Sequence, residues 1–371
     1  MGVVVSPSNV PDLSRPTYSV LGLPFDAVTM AQALRRVEQA VSGRRRCFIS
    51  TPNVNFAMAA RHDAAFRQSV LCSDLVLADG QPIVWAARLA GVPIAERVSG
   101  AGLFERLQQD AAVPIKVYFF GGPDGAAQAA HEALNRRAGP LRSVGFCAPG
   151  FGSTAALSEP AFIDPINAAQ PDFLVVALGA KKGQDWIVAN LDRLQVPVIS
   201  HLGAVVNFTA GTVQRAPAWV QRLAGEWLWR IAQEPQLWRR YWDDGRQLLA
   251  LACRDLLPAA LARLLRRRGG GPASGPAPEI ACVVDGERAR LRMAGWWADA
   301  SAERLHTTLA PLLGRVGVLE IDARGLIELS PRIHAMLLQM EGSGVALRLA
   351  HADRPLATML ARCGCSHWLA R

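Results

Sequence analysis

Lysine is scarce in this sequence, so its positive charge comes from arginine. Of the 40 Lys and Arg residues only Lys116, Lys181 and Lys182 are lysine, so the formal charge of +9 depends almost entirely on arginine. An excess of arginine suits phosphate, diphosphate or an anionic membrane surface as a partner, and the charge alone does not choose among them. No charged and then apolar leader with a cleavage site opens the chain, so we expect no secretion signal.

Long apolar runs and paired cysteines are also missing. The longest apolar stretch near the middle, residues 248–265, is interrupted by Arg254, Asp255, Pro258 and Arg263, so we expect no membrane-spanning helix. The seven cysteines lack a paired metal-ligand spacing, which is typical of buried cysteines in a reducing cytoplasm. With 371 residues, half of them hydrophobic, the chain is long enough for two domains and is not a disordered protein.

Two short apolar segments, residues 47–55 and 73–82, each end abruptly in polar or small residues. Buried parallel strands have this pattern, and their carboxyl ends line the ligand crevice of an open α/β sheet. We therefore expect Thr51, Asn53 and Asp79 to lie together at the mouth of one cleft. A carboxylate flanked by apolar residues is desolvated enough to act as a base.

The alternative interpretation of Asp79 is structural. An aspartate is common just before a helix, and the pattern predicts a helix that begins near Gln81 and Pro82. In that case the carboxylate of Asp79 would cap the helix and have no part in chemistry. Spacing alone leaves both interpretations open.

The segment 115–125 predicts a strand, a glycine-rich turn at Gly121 and Gly122, and the start of a helix. This arrangement presents backbone N–H groups to a phosphate, although the strict dinucleotide-binding spacing is absent. Further strands are predicted over residues 172–178 and 196–202. Repeated strand and helix units of this length predict a parallel sheet with helices on both faces.

Residues 215–265 predict a helical appendage in which tryptophan and arginine are interleaved. Such a segment is typical of an interfacial membrane anchor, because tryptophan prefers the headgroup zone and arginine pairs with lipid phosphate. It is also compatible with stacking on nucleic-acid bases, or with an aromatic helix that packs on the core and has a solvated arginine face. The residues concerned are Trp219, Trp227, Trp229, Trp238 and Trp242, with Arg222, Arg230, Arg239, Arg240 and Arg246.

The last third of the chain divides into a linker and a small domain. Residues 266–279 are rich in glycine and proline and predict a flexible linker. Residues 280–371 alternate short strands and helices, have the size of one small α/β domain, and contain no charged constellation that indicates chemistry. We expect an interaction module that is dispensable for catalysis.

An ordered set of short motifs over residues 18–244 resembles the WecG/TagA/CpsF glycosyltransferases. The resemblance implies a Rossmann-like domain over residues 18–214, an appendage over residues 215–265 that reaches the membrane, and transfer with inversion from a UDP-sugar to a polyprenyl-diphosphate-linked acceptor in cell-surface polysaccharide synthesis. N-acetylmannosamine-type sugars, glucose and uronic acids are the expected donor sugars. The motifs are Thr51-Pro52-Asn53, Ala78-Asp79-Gly80, Arg97-Val98-Ser99-Gly100, Gly150-Phe151-Gly152, Ala177-Leu178-Gly179 with Gln184, Arg215-Ala216-Pro217, Glu226-Trp227, Glu234-Pro235 and Arg239-Arg240-Tyr241.

The resemblance also implies roles for individual residues. Asp79 matches the catalytic base, Thr51 its catalytic neighbour at a strand end, and Arg97 an arginine that binds diphosphate. Gln184 matches a contact to the sugar or nucleotide, although Gly179-Ala-Lys-Lys-Gly-Gln-Asp departs from the commoner Gly-x-Pro-Lys-Gln-Glu pattern. The expected substrate-binding residues are Asn53, Gly80, Gln81, Gly121, Gly122, Gln184, Arg215, Arg230, Arg239 and Arg240.

The tail resembles a STAS domain around residues 318–331, with Glu328-Leu329-Ser330-Pro331 where regulatory members have Asp-Ser-Ser-Gly. We therefore expect a protein partner for the tail and no phosphorylation switch at Ser330. We further expect a reaction without metal or cofactor, a peripheral position on the cytoplasmic face of the membrane, no nucleic-acid partner, and self-association as a homo-oligomer. The alternative function is a nucleic-acid-binding or regulatory scaffold that uses the arginine and tryptophan segment and the tail.

Overall fold

The computed structural model describes residues 11–217, 219–220, 225–258, 260–261 and 275–370. Its larger domain contains a parallel sheet of six strands, and a hairpin of two further strands precedes it. The strands are β1 (Thr17–Val20), β2 (Leu23–Asp26), β3 (Cys47–Ser50), β4 (Leu75–Val76), β5 (Ile115–Gly121), β6 (Leu141–Cys147), β7 (Phe173–Ala177) and β8 (Val198–His201). The order of the six strands is β4-β3-β8-β7-β5-β6, which confirms the predicted parallel α/β sheet.

Helices cover both faces of the six-stranded sheet. Successive side chains of β7 enter different cores, Phe173 and Val175 on one face and Leu174 and Val176 on the other. A strand buried on both faces must be apolar throughout, and this explains the uninterrupted sequence of β7. The helices of this domain are α1 (Met30–Ser42), α2 (Val54–His62), α3 (Ala64–Leu71), α4 (Gln81–Ala90), α5 (Gly100–Asp110), α6 (Ala126–Arg136), α7 (Pro160–Ala168), α8 (Ala180–Asn190) and α9 (Gly203–Ala210).

The β1–β2 hairpin covers β4, the edge strand that leads to Asp79. The buried carboxylate of Asp26, at the end of β2, accepts a hydrogen bond of 2.8 Å from the backbone N–H of Val76. Arg15 and Arg36 neutralise that carboxylate, with N–O distances of 3.1 and 2.8 Å. The hydrogen bond to Val76 holds β4 in place. The hairpin also covers the outer side of β4, so this edge strand cannot pair with another chain.

The described residues of the arginine and tryptophan segment include two long helices, in agreement with the predicted helical appendage. They are α10 (Glu226–Gln233) and α11 (Trp238–Leu251), and the latter continues into a π-helical turn at Ala252–Leu256. A hydrogen bond of 3.3 Å from Asn55 to the buried Asp244 attaches α11 to α2. Within α10 no residue is buried, so this helix lies on the surface.

The C-terminal residues form a separate sheet domain, also as predicted. Its sheet has the order β12-β10-β11-β13, with β9 antiparallel to β10. Residues 266–274 of the expected linker lie outside the described part of the chain, and Pro276 already accepts a hydrogen bond of 3.0 Å from Trp296 of this domain. The elements are β9 (Glu279–Asp285), β10 (Arg288–Trp297), α12 (Ala302–Leu309), β11 (Val318–Asp322), β12 (Leu326–Leu329), α13 (Pro331–Gly342), β13 (Ala346–Ala350) and α14 (Arg354–Arg362).

Although a flexible linker is predicted before it, the C-terminal domain packs on the larger domain, with α13 directly against β1 and α3. That this domain is dispensable for catalysis stays a prediction. Arg67 of α3 donates to both carboxylate oxygens of Glu341 at 2.8 Å, and both side chains are largely buried. A Cβ at Gly342 would collide with the backbone carbonyl of Leu71, so the two helices are in close contact. Leu71 itself belongs to the hydrophobic core of the C-terminal domain.

We predict that Glu341→Gln destabilises the full chain by about 3–5 kcal/mol, because Arg67 then keeps a buried charge without its anionic partner. The urea midpoint of unfolding measures the change. Glu320→Gln is the matched control, since Glu320 pairs with Arg290 on an exposed face of the same domain and its loss should cost at most about 1 kcal/mol. Equal midpoints for the two variants would contradict a structural role of the buried ion pair.

Candidate active site at the carboxyl edge of the parallel sheet

The carboxyl ends of β3, β4 and β8 meet the first turn of α5 at one edge of the sheet. A Cβ at Gly100, the first residue of α5, would lie 3.1 Å from Cγ2 of Thr51 and would collide with the side chain of Leu202. Only glycine lets the helix come this close to both strand ends. The N-terminus of α5 therefore lies at the strand ends where the sequence predicts the mouth of a cleft, and this edge of the sheet is called the cleft below.

Asp79 lies in this cleft, where it is partly buried. Its Oδ2 accepts a hydrogen bond of 3.5 Å from the backbone N–H of Gly100. Its own backbone N–H donates to the carbonyl of Pro52 at 3.1 Å, which ties the loop after β4 to the loop after β3. The carboxylate thus faces the positive end of the α5 dipole.

The alternative role of Asp79 as a cap of α4 is wrong. The N-cap of α4 is Gly80, whose φ of 127° suits glycine, and no side chain caps this helix. The backbone N–H of Ile83 donates to the Gly80 carbonyl at 3.1 Å. Gln81 is the first residue of α4 and remains partly exposed beside the cleft.

Burial raises the pKa of Asp79 to about 6. Arg97, the N–H of Gly100 and Arg215 act in the opposite direction, whereas the negative charge of Glu226 raises the pKa further. A carboxyl group with a pKa near 6 is mostly ionised at neutral pH and is a stronger base than an ordinary aspartate. The site can therefore accept a proton from a hydroxyl group.

Arg97 is paired with a residue that the sequence analysis did not assign to the site. Its guanidinium binds the carboxylate of Glu226 through both terminal nitrogens, with 3.0 Å between Nη2 and Oε1. The side chains are only 17% and 27% exposed. Because Glu226 is the first residue of α10, this ion pair attaches the appendage to the cleft.

Arg215 is the second cation near Asp79. It forms an ion pair with Glu105 of α5, and its Nη2 lies 3.4 Å from the position of a Cβ at Gly102. Arg215 therefore lies against the first turns of α5. The fold thus brings Arg215, the first residue of the predicted appendage, to the site.

Other predicted residues have local structural contacts. Asn53 caps α2, with Oδ1 accepting a hydrogen bond of 3.1 Å from the N–H of Phe56. Gly121 and Gly122 have φ values of 95° and 105°, and the N–H of Gly122 donates to the carbonyl of Ala177 at 2.8 Å. This N–H is already satisfied by β7, so the glycine turn serves the packing of β5 on β7.

Gln184 lies in the interior of the domain. Its side chain is buried beneath the cleft, where Nε2 donates to Ser50 Oγ at 2.9 Å. Ser50 Oγ in turn lies 2.7 Å from Ser73 Oγ. The amide connects α8 to the ends of β3 and α3, so Gln184 supports the strand ends, and its contact with a sugar or nucleotide stays a prediction.

Arg230, Arg239 and Arg240 interact within the appendage. Arg230 lies 3.9 Å from Glu234, one helical turn away. Arg239 and Arg240 stack on neighbouring aromatic rings, at 5.7 Å from Trp238 and 5.1 Å from Tyr241. These three arginines were predicted to bind substrate, and that role stays a prediction.

His201 is a further candidate that the sequence analysis passed over. It is the last residue of β8, and a Cβ at Gly183 would collide with its ring. Within the described residues its Nε2 is buried and has no hydrogen-bond partner, and burial lowers its pKa to about 4. The sequence pattern that could have identified His201 is the same as for Asp79, namely a polar residue at the end of an apolar run.

The described residues contain neither a metal-binding cluster of acidic, histidine or cysteine side chains nor a membrane-spanning helix. They bring no three His, Cys, Asp or Glu side chains together in a way that could hold a metal ion. They also include no helix that is both long and apolar enough to cross a bilayer. A reaction without metal stays a prediction.

The sequence is similar to those of known glycosyltransferases. It is 25% identical over 224 residues to N-acetylglucosaminyldiphosphoundecaprenol N-acetyl-beta-D-mannosaminyltransferases of Staphylococcus aureus strains MW2 and NCTC 8325. The matched region covers 60% of this chain and 85% of each relative. The model of the glycosyl transferase WecG/TagA/CpsF family matches residues 18–261, a range that includes the cleft and most of the appendage. The chain therefore belongs to the WecG/TagA/CpsF family of glycosyltransferases.

Proposed function

We propose that this protein moves a sugar from a UDP-sugar, with inversion, to a glycan linked to polyprenyl diphosphate, in the synthesis of a cell-surface polysaccharide. The observation that carries the proposal is Asp79, a partly buried carboxylate with a raised pKa at the N-terminus of α5. The names of the staphylococcal relatives favour an N-acetylmannosamine-type donor and a lipid-linked N-acetylglucosamine acceptor. Glucose and uronic acids are the other donors to be tested.

In this proposal Asp79 is the general base. The acceptor hydroxyl loses its proton to the carboxylate as its oxygen forms a bond to the anomeric carbon. The bond from that carbon to the UDP oxygen breaks, and UDP leaves with the electron pair. Attack from the side opposite the leaving group inverts the anomeric configuration.

The departing diphosphate requires positive charge close to the cleft. Arg97 and Arg215 are the two cations whose charge acts on Asp79, and the N-terminus of α5 adds backbone N–H groups. Fixed cations and N–H dipoles stabilise a developing anion without reorganisation during the reaction. We infer that these groups take the role that a metal ion has in other transferases, with Thr51 as a neighbour of the base. Full activity in the presence of a chelator is the expected result.

The acceptor lipid stays in a bilayer, so we infer that the appendage brings the enzyme to the cytoplasmic face of the membrane. The exposed fractions of its large apolar side chains support this inference, with 51% for Trp238, 67% for Trp242 and 64% for Leu249. Tryptophan settles at headgroup depth, and each basic residue near an anionic surface contributes on the order of 1 kcal/mol. Arg239 and Arg240 lie in the same helix as these side chains.

The role of the C-terminal domain is also a proposal. Its parallel strands β10, β11 and β13 and its resemblance to STAS domains favour recruitment of a protein partner. Its docking on the hairpin makes a contribution to the stability of the catalytic domain an additional role. Self-association of the chain stays a prediction.

The proposed reaction can be tested directly. Purified protein would be incubated with a panel of UDP-sugars and a short-chain polyprenyl-diphosphate sugar, and the product identified by mass spectrometry.

We predict that Asp79→Asn keeps its thermal stability and UDP affinity and loses about a hundredfold to ten-thousandfold in turnover, because an amide cannot accept the proton. Turnover within a few-fold of the unmodified protein would remove Asp79 from the role of base.

The pH dependence provides a second prediction. Only the ionised carboxylate can accept a proton, so kcat/KM should fall as the pH drops through about 6, the pKa of Asp79. An ordinary aspartate would keep its activity down to about pH 4. The initial rate at low substrate, measured between pH 4.5 and 8, distinguishes the two cases. A profile that stays flat down to pH 4.5 would show that no group with a pKa near 6 is essential.

Reversing the charge of two arginines tests the role of the appendage at the membrane. Arg239→Glu combined with Arg240→Glu should release the protein from vesicles with anionic lipid and lower transfer to the lipid acceptor, because the substitution reverses the charge that attracts the surface. Arg136→Glu combined with Arg137→Glu changes the same charge on the catalytic domain and serves as the control. Co-sedimentation measures binding, and circular dichroism checks the fold. Equal vesicle binding by both double variants would mean that residues 239 and 240 do not meet the membrane.

A further inference from the structure

Both cations of the cleft are occupied by acidic side chains of the protein itself. Arg97 is paired with Glu226, and Arg215 is paired with Glu105. Together with Asp79, the cleft therefore holds three carboxyl groups and two guanidinium groups. A diphosphate could not bind this arrangement without strong repulsion, because like charges at short distance disfavour one another in a partly desolvated site.

The two ion pairs differ in what they connect. Glu105, the partner of Arg215, belongs to α5, and its side chain is 51% exposed. Glu226 reaches Arg97 from the appendage, 129 residues further along the chain, and the pair is largely shielded from water. The Arg97 pair therefore links the position of α10 to whether the guanidinium of Arg97 is available to a substrate.

A carboxylate that binds a guanidinium through two oxygens has the same shape as the edge of a phosphate group. Arginine binds either anion with two parallel N–H···O hydrogen bonds. The Nη1 and Nη2 donors that face Glu226 are thus the donors that a diphosphate would use. Glu226 and an anionic substrate compete for one set of donors.

We propose that Glu226 is a built-in competitor at the diphosphate site, and that the diphosphate of the substrate displaces its carboxylate from Arg97 and so releases the start of α10. This inference depends on the proposed function, since it concerns the same cleft. The helix does not leave the domain, because Trp229 and Gln233 also donate hydrogen bonds of 3.1 and 2.9 Å to the carbonyl of Gln214. The helix can therefore turn about this second attachment.

The exchange also acts on the base. The charged groups that face Asp79 are Arg97, Glu226 and Arg215, together with the N–H of Gly100, and among these only Glu226 raises the pKa of Asp79. Removing the charge of Glu226 from the free enzyme should therefore move the acid limb of kcat/KM to lower pH. A residue that only supported the fold would leave this limb in place.

Glu226→Gln tests the proposal, because glutamine keeps the shape of the side chain and loses the competing charge. Inorganic pyrophosphate and UDP are titrated into the full-length variant at pH 7.5 by calorimetry. We expect both to bind on the order of tenfold more tightly than to the unmodified protein, since a charged hydrogen-bond partner no longer has to be displaced. Asp243→Asn is the control, because it removes an exposed carboxylate of the appendage that pairs with Arg246 and not with Arg97.

The two probes separate this inference from the proposed function. Tighter pyrophosphate binding by Glu226→Gln without any UDP binding would support the competitor and contradict a UDP-sugar donor. UDP binding and transfer with unchanged or weaker affinity in Glu226→Gln would support the proposed function and overturn the competitor. Glu226→Asp, which keeps the charge on a shorter side chain, should bind pyrophosphate less tightly than Glu226→Gln. The opposite order would also overturn the proposal.

Discussion

The close approach of α5 to the strand ends is the constraint on which the candidate site depends. Gly100 fits between Thr51 and Leu202 without space for a side chain, and this contact places the helix N-terminus against the carboxylate of Asp79. The apolar surroundings raise the pKa of Asp79, while the N–H of Gly100 partly opposes that effect. A base of intermediate strength results from these two opposing influences.

A second constraint is the support of the edge strand that leads to Asp79. β4 contains two residues, and such a short strand is held in place by its neighbours. The β1–β2 hairpin covers its outer side through Asp26, and α13 of the C-terminal domain covers the hairpin. The distant domain therefore contributes to the position of the base although none of its residues was assigned to the cleft.

The appendage has an exposed apolar surface and also contributes a side chain to the cleft. Its outer surface exposes large apolar side chains such as Trp238 and Trp242, which favours contact with a bilayer. Its inner end contributes Glu226 to the pair with Arg97. The proposed attachment to the membrane and the proposed entry of an anionic substrate would thus be connected through α10, a helix without buried residues of its own.

The sequence by itself determined the parallel sheet, the helical character of the appendage, the separate C-terminal domain and the place of Asp79 after a strand, because each of these is recorded in the local pattern of apolar and polar residues. It also indicated the family, through a set of short motifs in a characteristic order. The burial of Gln184, the pairing of Arg97 with Glu226 and the docking of α13 on α3 were decided only by the tertiary structure. Each of them joins side chains more than a hundred residues apart, and no periodicity or spacing records which distant partner a polar side chain meets.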